Sequence, residues 1–174
     1  EVRISKKLGI MKKIVYLMTA VMLPLIAATF VSCSKDTDDY SKVDVTLDID
    51  ESTAKVVGKD IYVVKAKDAK IHLKDITVKD LETGKAGLVD RVVYYWDYIE
   101  LGYKASAPFE FNFPVENATI DKHEIEITCR VLVEGKSIAA GLIKTTVHVV
   151  EKEEDIPTPN ADNTITSTVQ LAAE

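Results

Sequence analysis

The sequence predicts an all-β fold, a two-layer sandwich of about seven strands, and three observations predict it. Short runs of alternating apolar and polar residues recur between positions 43 and 150. Turn-forming groups separate them, at Gly58-Lys59-Asp60, residues 82–87, Pro114 and Glu134-Gly135-Lys136. No stretch after residue 33 carries a helical period.

The elements follow in order. Val43, Val45, Leu47 and Ile49 alternate with Asp44, Thr46, Asp48 and Asp50, which predicts a strand with one wet face. Residues 54–57 lead into the Gly58 turn, and 61–64 resume the extended pattern. Residues 70–79 predict another strand, or a pair broken at Lys74-Asp75. The run 92–96 is rich in β-branched and aromatic residues, and Phe109, Phe111 and Phe113 alternate up to Pro114. From His123 to Val133 the alternation is unbroken: Ile125, Ile127, Cys129, Val131 and Val133 share one face, and Glu124, Glu126, Thr128 and Arg130 the other. A last long strand is expected over 137–150. Pro157-Thr158-Pro159 then opens a polar tail, and 155–174 is expected to be flexible.

A signal helix is expected ahead of the sandwich. Met11 is followed by Lys12 and Lys13, and residues 14–31 run without a charge, a positive n-region and an apolar h-region. Such a run is also long enough for an uncleaved membrane helix. Its ending decides: Phe30-Val31-Ser32-Cys33-Ser34 resembles a lipobox, the sequence at which bacterial lipoproteins are cut and acylated on cysteine. The resemblance implies cleavage before Cys33, acyl chains (palmitate among them) on that residue, and anchoring to the outer membrane. Two or more chains make an anchor stable. Residues 1–32 are then upstream sequence and signal peptide, and 33–42 an acidic tether. Asp36, Asp38 and Asp39 in that tether resemble an export signal for the cell surface; any acidic polar run would also serve as a solvated spacer.

Charge excludes other classes. Residues 1–32 hold five basic residues and one acid, which leaves 17 basic and 27 acidic residues from Cys33 onward, a net charge of −10. Nucleic-acid binding needs clustered Lys and Arg, so no nucleic-acid partner is expected. With Cys33 acylated, Cys129 has no disulfide partner, and its strand face predicts a buried, reduced thiol.

Three segments carry a family resemblance. Residues 92–102, Val-Val-Tyr-Tyr-Trp-Asp-Tyr-Ile-Glu-Leu-Gly, are similar to the "VEFYVDGxxIG" hairpin of bacterial immunoglobulin-like modules. Ser106-Ala107-Pro108-Phe109-Glu110-Phe111 is similar to their "SAPYEF" step, and residues 121–127 to "DGxHTITA". The resemblance spans 91–134 and implies an immunoglobulin-like sandwich over 43–154. Tyr98 departs from it, standing where the family usually has Gly in the hairpin turn. The long segment 65–90 before the hairpin is a second departure, which common members lack.

No catalytic constellation emerges, and neither a metal nor a cofactor is expected. Gly84-Lys85 lacks the Ser or Thr and the first Gly of a phosphate loop. His72, His123 and His148 stand singly rather than at zinc-ligand spacing, and the resemblance gives His123 a turn role. Glu124 and Glu126 share a strand face, where neighbouring acids are usually a solvated surface. The aromatics are the one concentration. Eight of the ten from Cys33 onward lie between Tyr94 and Phe113. Alternation and the resemblance assign Tyr94, Trp96, Phe109, Phe111 and Phe113 to the core, leaving Tyr95, Tyr98 and Tyr103 as candidate ligand contacts. The expected function is non-enzymatic: a surface-tethered lipoprotein module with a structural or protein-interaction role in the envelope, or alternatively a glycan-binding lipoprotein beside a polysaccharide-uptake system.

Overall fold

Alternation alone would let the predicted strands close in several ways; the pairing partners choose among them. A computed structural model describes residues 42–133 and 140–170. The signal segment 1–32, Cys33, Asp36, Asp38, Asp39 and the turn at 134–136 lie outside the described residues. The described strands are β1 (Lys42–Ile49), β2 (Lys55–Val57), β3 (Asp60–Val64), β4 (Lys70–Asp80), β5 (Leu88–Trp96), β6 (Ile99–Lys104), β7 (Phe111–Pro114), β8 (Lys122–Leu132), β9 (Ala140–Val150) and β10 (Thr164–Gln170).

They form two sheets, ordered β10-β1-β4-β7 and β2-β3-β9-β8-β5-β6. The β1-β4-β7 and β9-β8-β5-β6 groupings are the two layers of an immunoglobulin-like sandwich. Against about seven expected, ten strands stand among the described residues, with β3 parallel to β9 and the remaining pairs antiparallel. Between the layers, the inward side chains of β1, β4, β5, β8 and β9 are nearly all sealed from solvent. Tyr94 anchors this core: it is fully buried, its hydroxyl donates to the Phe109 carbonyl at 2.7 Å, and its ring stacks on Phe111 at 4.1 Å. Cys129 is buried and free, and burial pushes its thiol pKa up to about 11. Strand β4 runs unbroken through Lys74-Asp75, where both side chains are exposed and its register against β1 slips.

The C-terminal segment corrects the expectation of a flexible tail. Strand β10 pairs with β1 over seven residues, from Lys42↔Gln170 to Asp48↔Thr164. Asn163 fixes its start: the residue is buried with φ +51, its Oδ1 accepts from the Val56 N–H at 2.8 Å, and its Nδ2 donates to the Ile49 and Ala54 carbonyls at 2.8 and 3.2 Å. Asparagine tolerates this left-handed backbone better than most residues. Ile165 is buried, and Val169 packs against the core. A Cβ on Gly141 would lie 3.0 Å from Val169 Cγ1, so β10 lies close over β9 at this glycine.

The registers also define two ends. Lys42 and Gln170 face each other at one. Strand β4 returns to that end, where Lys79 bridges Ala86, and β5 leaves it. The β5–β6 turn therefore lies at the opposite end.

Candidate functional site

The β5–β6 hairpin carries all three tyrosines singled out by the sequence. Trp96 pairs with Ile99, so Asp97-Tyr98 is a two-residue loop. Both residues have positive φ, +46 and +69, which is a type I′ turn. The family's glycine position is thus a left-handed position here too, occupied by a side chain at a cost of roughly 1–2 kcal/mol. Asp97 compensates locally. Its N–H donates to the Glu124 carbonyl at 2.9 Å, while Oδ1 accepts from the Glu124 N–H at 2.8 Å and Oδ2 lies 2.6 Å from His123 Nδ1. These three contacts staple the turn to the start of β8.

The turn projects Tyr98, which is 74% exposed, and beside it Ile99 is 66% and Tyr103 60% exposed. Tyr95 is half-buried. It lies in register with Glu100 on one side and Glu126 on the other, and Val93 pairs with Tyr103 and Thr128. This outward face continues onto β9, where Leu142 opposite Thr128 is also exposed. Ile99 and Leu142 were not among the sequence candidates. Leu142 shares the outward face of its strand with Lys144, Thr146 and His148, and Ile99 directly follows the turn. A register shift between Tyr94 and Tyr95 leaves Leu101 as the extra residue of β6. A bulge of this kind strengthens twist at a sheet edge.

Cations sit over the exposed rings. Arg91 Cζ is 4.8 Å from the Tyr103 ring centroid, and Lys144 Nζ is 5.3 Å from that of Tyr98. Lys144 also bonds Glu126 at 2.9 Å and Glu124 at 3.2 Å, and those carboxylates hold its pKa above the ordinary lysine value. Glu124 and Glu126 thus share one ammonium, as expected of a surface pair. Among the described residues, the stacked ring pairs are Tyr62–His148, Tyr94–Phe111 and Trp96–His123, none of which includes Tyr95, Tyr98 or Tyr103.

The histidines are dispersed. His72 Nδ1 lies 3.0 Å from Asn112 Oδ1, and His148 Nε2 lies 2.9 Å from Asp60 Oδ2. Among the described residues no three His, Cys, Asp or Glu side chains come together as a metal site. A hollow of about 370 Å³ lies near Lys55, Tyr62 and Lys70, and another of about 350 Å³ near Ile120 and His148. Neither is lined by the candidate tyrosines.

No protein-family model matches the chain, and no curated protein matches it. Among solved structures it is similar to the "Clostridium thermocellum CbhA fibronectin(III)-like modules", with 15% identity over 56% of this chain and 93% of that one, at a TM-score of 0.34. A likeness this loose carries no argument about fold or function, and the sandwich rests on its own strand pairing.

Proposed function

We propose that this chain is an interaction module of the bacterial envelope, tethered by lipid on Cys33, that offers the β5–β6 hairpin to a protein partner. The observation that carries the reading is the run Tyr98, Ile99 and Tyr103, three large side chains exposed within six residues at a sheet edge. Stability of the domain does not call for them there. Tyrosine gives a large, stiff contact area at small entropic cost, and Arg91 and Lys144 beside the rings supply a polar rim. The reading is non-enzymatic. Its surface address rests on the Asp36, Asp38 and Asp39 cluster.

The experiment compares wild type with a Tyr95→Ala/Tyr98→Ala/Tyr103→Ala variant, first shown to be folded, for capture of envelope proteins. A hot-spot face predicts that capture falls by at least about ten-fold. Equal capture by both would move the contact elsewhere. A fatty-acid probe should label the wild type and not Cys33→Ala; equal labelling would remove the tether from the reading.

A glycan ligand is the second reading, favoured by Glu100 lying between Tyr98 and Tyr103 along the same edge. Against it, cations already occupy positions over both rings, where a sugar would stack. Binding of a soluble polysaccharide by the wild type, lost in the triple variant, would select it.

A further inference from the structure

His123 sits where the β5–β6 turn, the 115–121 connection and the start of β8 meet. Its side chain is 11% exposed, and its ring stacks on Trp96 with centroids 5.2 Å apart. Nδ1 lies 2.6 Å from Asp97 Oδ2, and Nε2 lies 3.0 Å from the Thr119 carbonyl oxygen. A carboxylate and a carbonyl can only accept, while a neutral imidazole has a single N–H. Both contacts together therefore require the doubly protonated ring. Thr119 offers the same nitrogen a second atom: its Oγ1 is 3.4 Å from Nε2 and is able to donate to it. The site holds partners for both protonation states.

We infer that His123 is a proton-dependent clasp. Protonated, it ties the Asp97-Tyr98 turn to the Thr119 carbonyl; neutral, it releases that carbonyl, turns to the Thr119 hydroxyl and loosens the hairpin tip from the 115–121 connection. The groups facing it are few. Asp97 comes from the turn and Asp121 from the connection, and both acids favour the proton. From β5 it meets Trp96, and the β9 residue in register with it is the apolar Val147. Lys122 pairs with His148 instead, and Lys65 Nζ donates to the Ala118 carbonyl one residue before Thr119. Burial disfavours the cation, but the Asp97 contact, the Thr119 carbonyl and the two acids outweigh it and raise the pKa above the ordinary histidine value. A raised folded-state pKa means the clasp is at full strength below about pH 6.5 and is lost as pH rises through the folded value. That binding through Tyr98 follows the same titration rests on the function proposed above; the clasp does not.

The test is an NMR titration of the His123 ring in the full-length chain in detergent. His123 should titrate above the ordinary value. Asp97→Asn should lower its pKa. Thr119→Val keeps the carbonyl and removes the donor to the neutral ring, so it should raise the pKa further, which a merely structural histidine would not show. Amide exchange at Asp97 and Glu124, corrected for its intrinsic pH dependence, should quicken by roughly ten-fold across the transition. A His123 that titrates at or below the ordinary value, or amides indifferent to it, overturns the clasp. Failure of the tyrosine variant to change capture leaves this titration intact and overturns only the proposed function.

Discussion

The β10 edge of one sheet and the β6 edge of the other are dressed in opposite ways. On β10 the side chains turned from the core are Thr164, Thr166, Thr168 and Gln170, and two of them bond across to β1: Thr166 Oγ1 lies 2.9 Å from Thr46 Oγ1, and Thr168 Oγ1 donates to Asp44 Oδ1 at 2.6 Å. On the β5–β6 edge the exposed side chains are Tyr98, Ile99 and Tyr103, carried by a turn with two left-handed residues, neither of them glycine. Every sheet edge leaves backbone groups open to pairing, and short polar side chains are one way of managing it. The β10 edge does its work inward, closing the sandwich over Gly141 and Cys129. The hairpin edge keeps apolar area in water and a strained turn. Under the function proposed above, that exposed apolar area is what a partner would cover.

The comparison breaks most easily at β10. Deleting residues 160–174 removes the buried Ile165, the Val169 contact and the Asn163 bonds, and should cost about 4 kcal/mol in chemical denaturation. It should also open Cys129, so a bulky thiol reagent that reacts slowly with the full chain should react quickly with the truncated one. Unchanged stability and unchanged thiol access would show β10 to be an ornament. A smaller loss, about 2–3 kcal/mol, is expected for Asn163→Ala, which leaves the Val56 N–H and two carbonyls without their partner. Asn163→Ala within about 0.5 kcal/mol of wild type would deny the residue its clamping role. The smallest effect has the opposite sign. Tyr98→Gly relieves the left-handed strain and should stabilise the domain by about 1 kcal/mol while weakening capture of a partner. Destabilisation instead would mean that the Lys144–Tyr98 contact outweighs the strain.

What the sequence made legible follows from where the signals are local. Alternation marks β1 and β8 because each lays four or more apolar residues on one face, and the same count predicts the burial of Cys129. The core places of Tyr94, Phe109 and Phe113 follow from alternation together with the family resemblance, which left Tyr98 and Tyr103 outside. Strand β10 escaped because its inner face holds only Ile165 and Val169, with Ser167 between them. Its docking depends on Asn163 bonding to Ile49, Ala54 and Val56, more than one hundred residues away in sequence. Asp97 escaped for a similar reason. It reads as an ordinary turn residue, and only the register of β8 brings Glu124 and His123 to its carboxylate. At the candidate site, then, the exposed rings are written locally and the groups that hold them are not.

The end-to-end placement of the chain has a consequence for geometry. The domain begins at Lys42, opposite Gln170, and the Asp97-Tyr98 turn lies at the other end. The eight residues of β1 span about 25 Å at the rise of an extended strand. With the proposed lipid on Cys33, the nine residues from there to Lys42 reach at most about 30 Å. Such a tether would keep Lys42 within about 30 Å of the lipid whichever way the domain points.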